Sequence, residues 1–441
     1  MKHVLFLSYY FPPAGGSAVQ RILKFVKYLP EYGWMPFVVT TESEKIILKD
    51  ESLIKEIPEN IKIIRTSSPD LYNFYSRFTG KAKTSDADLS ALAAGSKETS
   101  LLSKAAVFIR AAFFIPDARV GWLPYVLRES LKIIRKNRIH VIFASAPPFT
   151  TLLAGAFLSK LTGIPFIADY RDPWTGAYFY FQRPLISTMF EKFLEKRCIL
   201  TANRIIAINQ PIAEIIKDVS RRGESLSEKI RIIPNGFDPA DFEDIDPVIE
   251  NGKFTIVYTG TQHARMNSVK FIRSIEKAVR SEPEIGKYLL IKFIGRTSQD
   301  VREKIHNSKI RRNIKFIEHI PHRECLNHAA GADLLLLLIP ETPGNELIVT
   351  GKLFEYLRSG KPILCLAHRG DAADIIRKAN AGYTIAPDNI DEQVSFIVKS
   401  FNRFKNKKPL IEGKRDQAYI QGFSRKRSTQ KLADIFNEVL T

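Results

Sequence analysis

Short apolar runs alternate with amphipathic stretches along most of the chain. In the first half, Val4–Ser8, Met35–Thr40, Ile61–Arg65, His140–Ala144, Ile164–Ala168 and Arg204–Ile208 predict strands. Between the first two, Val19, Ile22, Leu23 and Val26 recur at helical spacing, with Arg21, Lys24 and Lys27 assigned to the opposite face and Gly33 closing the turn. The second half repeats the rhythm, with strands predicted at Phe254–Tyr258, Leu289–Ile294, Ile314–Ile317, Leu334–Leu338, Pro362–Leu366 and Gly382–Ile385. Alternation of this kind predicts parallel sheets covered by helices on both faces. The chain therefore reads as two doubly wound α/β domains, residues 1–240 and 241–421, joined near Asn235–Asn251. Ligands in open α/β sheets bind beyond the carboxyl ends of the strands, so a cleft between the domains is the expected site.

Residues 70–115 interrupt the pattern. Thr84–Ser100 is rich in Ser, Ala and Asp, and Leu101–Ile115 then turns apolar, with Leu101, Ala105, Ile109 and Phe113 on one stripe beside Lys104 and Arg110. That stretch is too short to span a bilayer; it suits either a membrane interface or an ordinary core helix.

Composition narrows the class. The 441 residues exceed a typical single core, and 45% hydrophobic with 26% charged residues is globular composition. Cys198, Cys325 and Cys365 are scattered without metal-ligand spacing, which fits a reducing, cytoplasmic setting. The N-terminus reads as a first strand and not a signal peptide. A net charge of +19 implies an anionic partner: phosphorylated substrate, anionic lipid or nucleic acid.

Several strand ends carry candidate chemistry. Gly15-Gly16-Ser17 opens the first helix, where free N–H groups favour an anion. Asp169, Arg171 and Asp172 follow the strand Ile164–Ala168; charges there need pairing or a ligand. His263 and Arg265 follow Phe254–Tyr258, and Gly295-Arg296 follows Leu289–Ile294; basic groups beside glycine at strand ends suit a diphosphate. The most telling stretch runs from Glu341 through Pro362. Thr350 is placed to cap a helix whose N-terminus, Gly351-Lys352-Leu353, forms an anion site, and Gly360 ends it. Glu355 shares a face with Lys352, where its carboxylate could hold ribose hydroxyls or merely pair with that lysine.

These motifs together resemble the family 4 retaining glycosyltransferases, particularly bacterial members that build surface polysaccharides. The resemblance rests on Tyr10-Phe11-Pro12-Pro13 with Gly15-Gly16, Phe114-Ile115-Pro116-Asp117 with Trp122, and Ser145-Ala146-Pro147-Pro148. It rests further on Asp169-Tyr170-Arg171-Asp172-Pro173-Trp174, Pro234-Asn235-Gly236-Phe237-Asp238, and Lys352 through Pro362. It implies a GT-B fold, with a nucleotide-sugar donor on the C-terminal domain, an acceptor, lipid-linked in this class, on the N-terminal one, and no cofactor or essential metal. It also implies that a last helix, within 422–441, crosses back onto the first domain. Glu355 would bind the donor ribose, Lys352 would face the diphosphate, and Arg265 would play the phosphate-binding arginine. The family's preceding glutamate has no counterpart eight positions before Glu355, where Leu347 stands; Glu346 is one residue early. The expected activity is sugar transfer at the inner face of the membrane. A nucleotide-sugar 2-epimerase on the same fold is the alternative. A nucleic-acid-binding protein is disfavoured, since no zinc-finger or helix-turn-helix pattern is present.

Overall fold

A computed structural model describes residues 1–42, 49–69, 114–176, 184–220, 226–318 and 320–441 of the chain. The interfacial or core helix expected over 101–115 lies outside these residues, apart from Phe114 and Ile115. The chain forms two units, one of Met1–Pro234 with Lys426–Thr441 and the other of Asn235–Arg425. The division thus falls at Pro234/Asn235 and Arg425/Lys426, against the expected 240/241 and 421/422.

The first unit holds strands β1 (Lys2–Leu7), β2 (Trp34–Thr41), β3 (Lys62–Thr66), β4 (Val141–Ala146), β5 (Phe166–Tyr170), β6 (Arg204–Ala207) and β7 (Ile230–Ile232). They pair in the order β3-β2-β1-β4-β5-β6-β7, and every pairing is parallel. Alternate side chains serve opposite layers: Leu5, Leu7, Ile142 and Ala144 on one face, Val4, Phe6, Val141 and Phe143 on the other. Both faces are buried, which explains the near-continuous apolar runs in the sequence.

The first helix, Ser17–Tyr28, places Val19, Ile22, Leu23 and Val26 in the core as the periodicity predicts. Its expected polar face is not solvated, however: Arg21 and Lys24 are 0% and 1% exposed. The reason is electrostatic. Lys24 pairs with Glu56 at 2.5 Å, while Arg21 reaches the end of β5. There Arg21 Nε and Nη2 donate to the two oxygens of Asp169 at 3.1 and 2.8 Å, and Nη1 donates to the Pro234 carbonyl at 3.0 Å. Ser145, at the end of β4, donates to the same carboxylate at 2.6 Å. One buried ion pair therefore ties together the first helix, the ends of β4 and β5, and the last residue of the unit's main segment. The helix Arg425–Glu438 closes the layer, with Leu432, Ala433, Ile435 and Phe436 buried among the first unit's residues and Phe436 5.0 Å from the Trp34 ring.

The second unit holds β8 (Phe254–Thr259), β9 (Leu289–Ile294), β10 (Ile314–Ile317), β11 (Leu334–Leu338), β12 (Ile363–Leu366) and β13 (Gly382–Ile385), ordered β10-β9-β8-β11-β12-β13 and again parallel. In each sheet the strand order reverses beside its first strand, between β1 and β4 and between β8 and β11. Crossovers leave on opposite faces at such a point, opening a crevice at the carboxyl ends of the strands. Among the described residues no helix is long and apolar enough to cross a membrane.

Removing one partner of a buried, multiply bonded ion pair strands the other charge. Arg21→Ala should therefore destabilise the first unit by about 3–5 kcal/mol. Urea unfolding checks this, and an unchanged first transition would show that the pair contributes nothing net.

Candidate active site

In the second unit, the loops after β8 and β9 lie side by side. Gly260 N–H donates to the Ile294 carbonyl at 2.7 Å, and Gln262 N–H to that of Arg296 at 2.7 Å. Both junction residues are glycines with positive φ, +112° at Gly260 and +118° at Gly295. A Cβ on Gly295 would stand 2.8 Å from the Gly260 carbonyl oxygen, and a Cβ on Gly260 would stand 2.5 Å from the Lys352 amine. Side chains are excluded here so that backbone and ammonium can approach.

The helix Gly351–Ser359 delivers that ammonium. It is fixed by Tyr356, whose buried hydroxyl accepts from the Thr259 N–H at 2.9 Å, and it ends at Gly360, left-handed as expected. Lys352 donates to the Tyr258 hydroxyl at 3.1 Å and sits 4.3 Å from the centre of that ring. The Tyr258 hydroxyl in turn donates to the Thr261 carbonyl at 2.9 Å. Lys352 forms no ion pair among the described residues, and burial lowers its pKa from the ordinary lysine value. Thr350 occupies the N-cap position, but its hydroxyl makes no capping bond and is left buried without a partner. The first N–H groups of the helix accordingly remain available to an anion.

Glu355 does not pair with Lys352. Its carboxylate is 2.9 Å from His322 Nε2, a residue sequence reasoning missed. Burial pushes this carboxyl up, but His322, Arg425 and Lys352 outweigh it and hold its pKa below the usual range. Glu355 is thus ionised at neutral pH, with one oxygen engaged by the imidazole.

Three further basic groups stand on the loops after β8 and β9: His263 and Arg265 on the first, Arg296 on the second. His263 is half-buried; burial and then the Arg265 and Lys352 charges lower its pKa, so its ring is neutral near pH 7. Arg265 and Arg296 are exposed, and their guanidinium groups have no hydrogen-bonding partner among the described residues. The Arg265 carbonyl accepts from Glu341 N–H at 3.1 Å, which docks the loop after β11 onto the loop after β8. Glu346 lies on that docked loop, exposed, in a short turn over Asn345–Leu347. Its backbone packs on Gly370, where a Cβ would come within 2.8 Å. Carboxylate oxygens of Glu341 and Asp388 gather with a His368 nitrogen within 4.8 Å, but Lys270 already bonds both acids, so a metal ion would have to displace it.

The remaining expected residues belong to the first unit. Gly15 and Gly16 form the turn into the first helix, with Gly16 at φ +97°. Asp169, expected to act on a ligand, has its carboxylate saturated by Arg21 and Ser145. Arg171 is likewise engaged, its Nε donating to the Ala146 carbonyl at 3.1 Å and its Nη2 to that of Pro147. Asp172 is different: its carboxylate has no hydrogen-bonding partner among the described residues, and burial raises its pKa, offset in part by Arg171. The three charges of this motif therefore divide into two structural groups and one available carboxylate. Beyond them, Trp174 donates to Glu191 at 3.1 Å, and Thr175 N–H and Oγ1 bond Glu195. Asp117, from the quoted Pro-Asp motif, caps the helix Thr150–Thr162 through Thr150 N–H and Oγ1, both at 2.9 Å.

Two doubly wound parallel α/β units define the GT-B class of fold. The family model for Glycosyltransferase Family 4 matches residues 18–241, more than half of the chain, and the protein belongs to that family of glycosyltransferases. Solved structures agree on the fold. Anabaena Alr3699/HepE, crystallised with UDP, is 14% identical with a TM-score of 0.62, over 99% of this chain and 100% of that one. A glycosyltransferase from Rickettsia africae is 14% identical at TM-score 0.62, over 100% and 99%. WaaG, involved in lipopolysaccharide biosynthesis, is 14% identical at TM-score 0.60, over 98% and 99%. Among curated proteins no sequence match is found.

Glu195 gives a pH test of the 170–176 loop. Burial raises its carboxyl from 4.5 to about 7. Between those values the folded chain holds a proton that the unfolded chain has lost, so stability falls as pH rises through this window, by at most ~1.4 kcal/mol per pH unit. Glu195→Gln should flatten the dependence of Tm on pH between these limits; an unaltered slope would assign it to other groups.

Proposed function

We propose that this glycosyltransferase takes its sugar from a nucleoside diphosphate sugar, with the diphosphate seated at the start of the helix Gly351–Ser359. The observation that carries the reading is Lys352, whose partly buried ammonium rests on a tyrosine and has no carboxylate partner among the described residues. A diphosphate would supply the opposite charge, and the exposed guanidinium groups of Arg265 and Arg296 would extend the cationic wall. His263 would serve as a neutral hydrogen-bonding group at its edge. The free Glu355 oxygen, held beside His322, suits the ribose hydroxyls. UDP and UDP-glucose in the Anabaena HepE structures support a donor of this class.

Leaving-group charge develops on the diphosphate as the glycosidic bond breaks, and fixed positive groups around it stabilise that state more than the ground state. The reading takes transfer to proceed with retention and without a metal, because the cations of the site would do the neutralising. Glu346, on the loop docked at Arg265, would face the sugar. Asp172 is the carboxylate free to meet the acceptor, with Arg171 and Asp169 holding the strand ends that position it.

The acceptor in this reading is a lipid-linked saccharide of surface polysaccharide biosynthesis, met at the cytoplasmic face of the membrane. The involvement of WaaG in lipopolysaccharide biosynthesis supports it, as does the +19 charge.

A thermal-shift screen against nucleoside diphosphate sugars should single out a donor, and Lys352→Ala should then lower sugar transfer roughly 100- to 1,000-fold. Transfer near the wild-type rate would remove Lys352 from the mechanism. Asp172→Asn should lower transfer while leaving donor binding intact and Tm unchanged or raised, because it removes a carboxylate that burial disfavours. A lowered Tm with unchanged transfer would make Asp172 structural.

A further inference from the structure

The helix Leu185–Thr201 is turned inside out. Its buried positions include Ser187, Glu191, Glu195 and Cys198, while Leu185, Ile186, Met189, Phe190 and Phe193 are between 50% and 82% exposed. The usual helix of a soluble domain does the reverse. What holds it this way is hydrogen bonding: Glu191 accepts from the Trp174 indole and Glu195 from Thr175, so both of the helix's acids face inward. The exposed apolar residues recur at i, i+1, i+4, i+5 and i+8 and form one stripe, with the Phe190 and Phe193 rings stacked at 6.5 Å. The helix Thr150–Thr162, packed against this one, adds exposed Phe157 and Leu161.

Charge identifies the occupant. With Glu191 and Glu195 buried, the charged groups this helix shows to solvent are all positive: Lys192, Lys196 and Arg197, the last stacked 5.2 Å from Phe193. Lys160 is exposed beside Leu161. A helix that shows Leu, Ile, Met and Phe to solvent, with cations as its own exposed charges, matches a bilayer surface bearing anionic headgroups, where the apolar side chains enter the acyl boundary and the cations meet phosphate. Two copies of the strip would instead oppose like charges.

We propose that the helix Leu185–Thr201, with Phe157 and Leu161, seats the enzyme on an anionic phospholipid surface. The proposal rests on the reading of this protein as a peripheral enzyme with a lipid-linked acceptor. It assigns the contact to this helix, a different stretch from the expected 101–115.

Flotation of the full chain tests it, using phosphatidylcholine vesicles with and without phosphatidylglycerol. Wild type should float with the anionic vesicles and less with the neutral ones. The double variant Ile186→Ser/Phe190→Ser should partition at least roughly tenfold less. Lys192→Glu/Arg197→Glu, which leaves the apolar residues in place, should lose the preference for phosphatidylglycerol. Unchanged Tm in either variant shows that it is folded. Wild-type flotation that both variants retain would overturn the assignment of this surface while leaving the peripheral reading intact. No flotation of wild type would overturn both. A wild-type dimer in gel filtration that the serine variant dissociates would make the strip a self-association face instead.

Discussion

A lysine ammonium resting on a tyrosine, with no carboxylate among the described residues to neutralise it, is the constraint around which the second unit is arranged. Tyr258 and Tyr356 hold Lys352 and its helix against the end of β8, with their hydroxyls bonded to backbone or to each other's neighbours. Gly260 clears the space in front of it, and Gly295 lets the Gly260 backbone come close. Placing a cation where burial already lowers its pKa costs stability, and an anionic ligand would recover that cost on binding. The neighbouring His263 feels the same field: burial and the Arg265 and Lys352 charges lower its pKa, so the imidazole beside them is neutral.

The first unit solves its own charge problem differently. Arg21 and Asp169 neutralise each other in the core, with Ser145 and the Pro234 carbonyl taking the remaining hydrogen-bonding capacity. This leaves Asp172, three residues on, as the carboxylate at the same strand end without a hydrogen-bonding partner among the described residues. The two halves of the fold thus hold two kinds of buried charge: one saturated by protein groups, and one without an opposite charge bonded to it among the described residues, as a ligand-binding charge would be.

The strands were legible in the sequence because in parallel sheets the central strands, buried on both faces, are short and mainly apolar runs, and all twelve predicted ones appear with ends shifted by at most two residues. The helix at Gly351–Ser359 was legible for a similar reason, through its glycine stop and its lysine at the start. What periodicity could not show is a buried polar face. Arg21 and Lys24 look solvated in the pattern, and only the distant Asp169 and Glu56 make their burial tolerable. The same limit hid His322, which lies far from Glu355 in sequence, and hid the inverted helix Leu185–Thr201, whose acids find partners in Trp174 and Thr175. The Asp-Tyr-Arg-Asp motif was visible, but which of its charges is spent on folding depends on contacts from other strands and helices.

The central claim is that Lys352 is held for a diphosphate. Calorimetric titration of the full chain with UDP, and with uridine as the uncharged control, tests it most directly. Lys352→Met should weaken UDP about 100-fold, the scale of a lost charge-assisted contact in a partly buried site, and leave uridine affinity unchanged. Equal UDP affinity in wild type and variant would contradict the account.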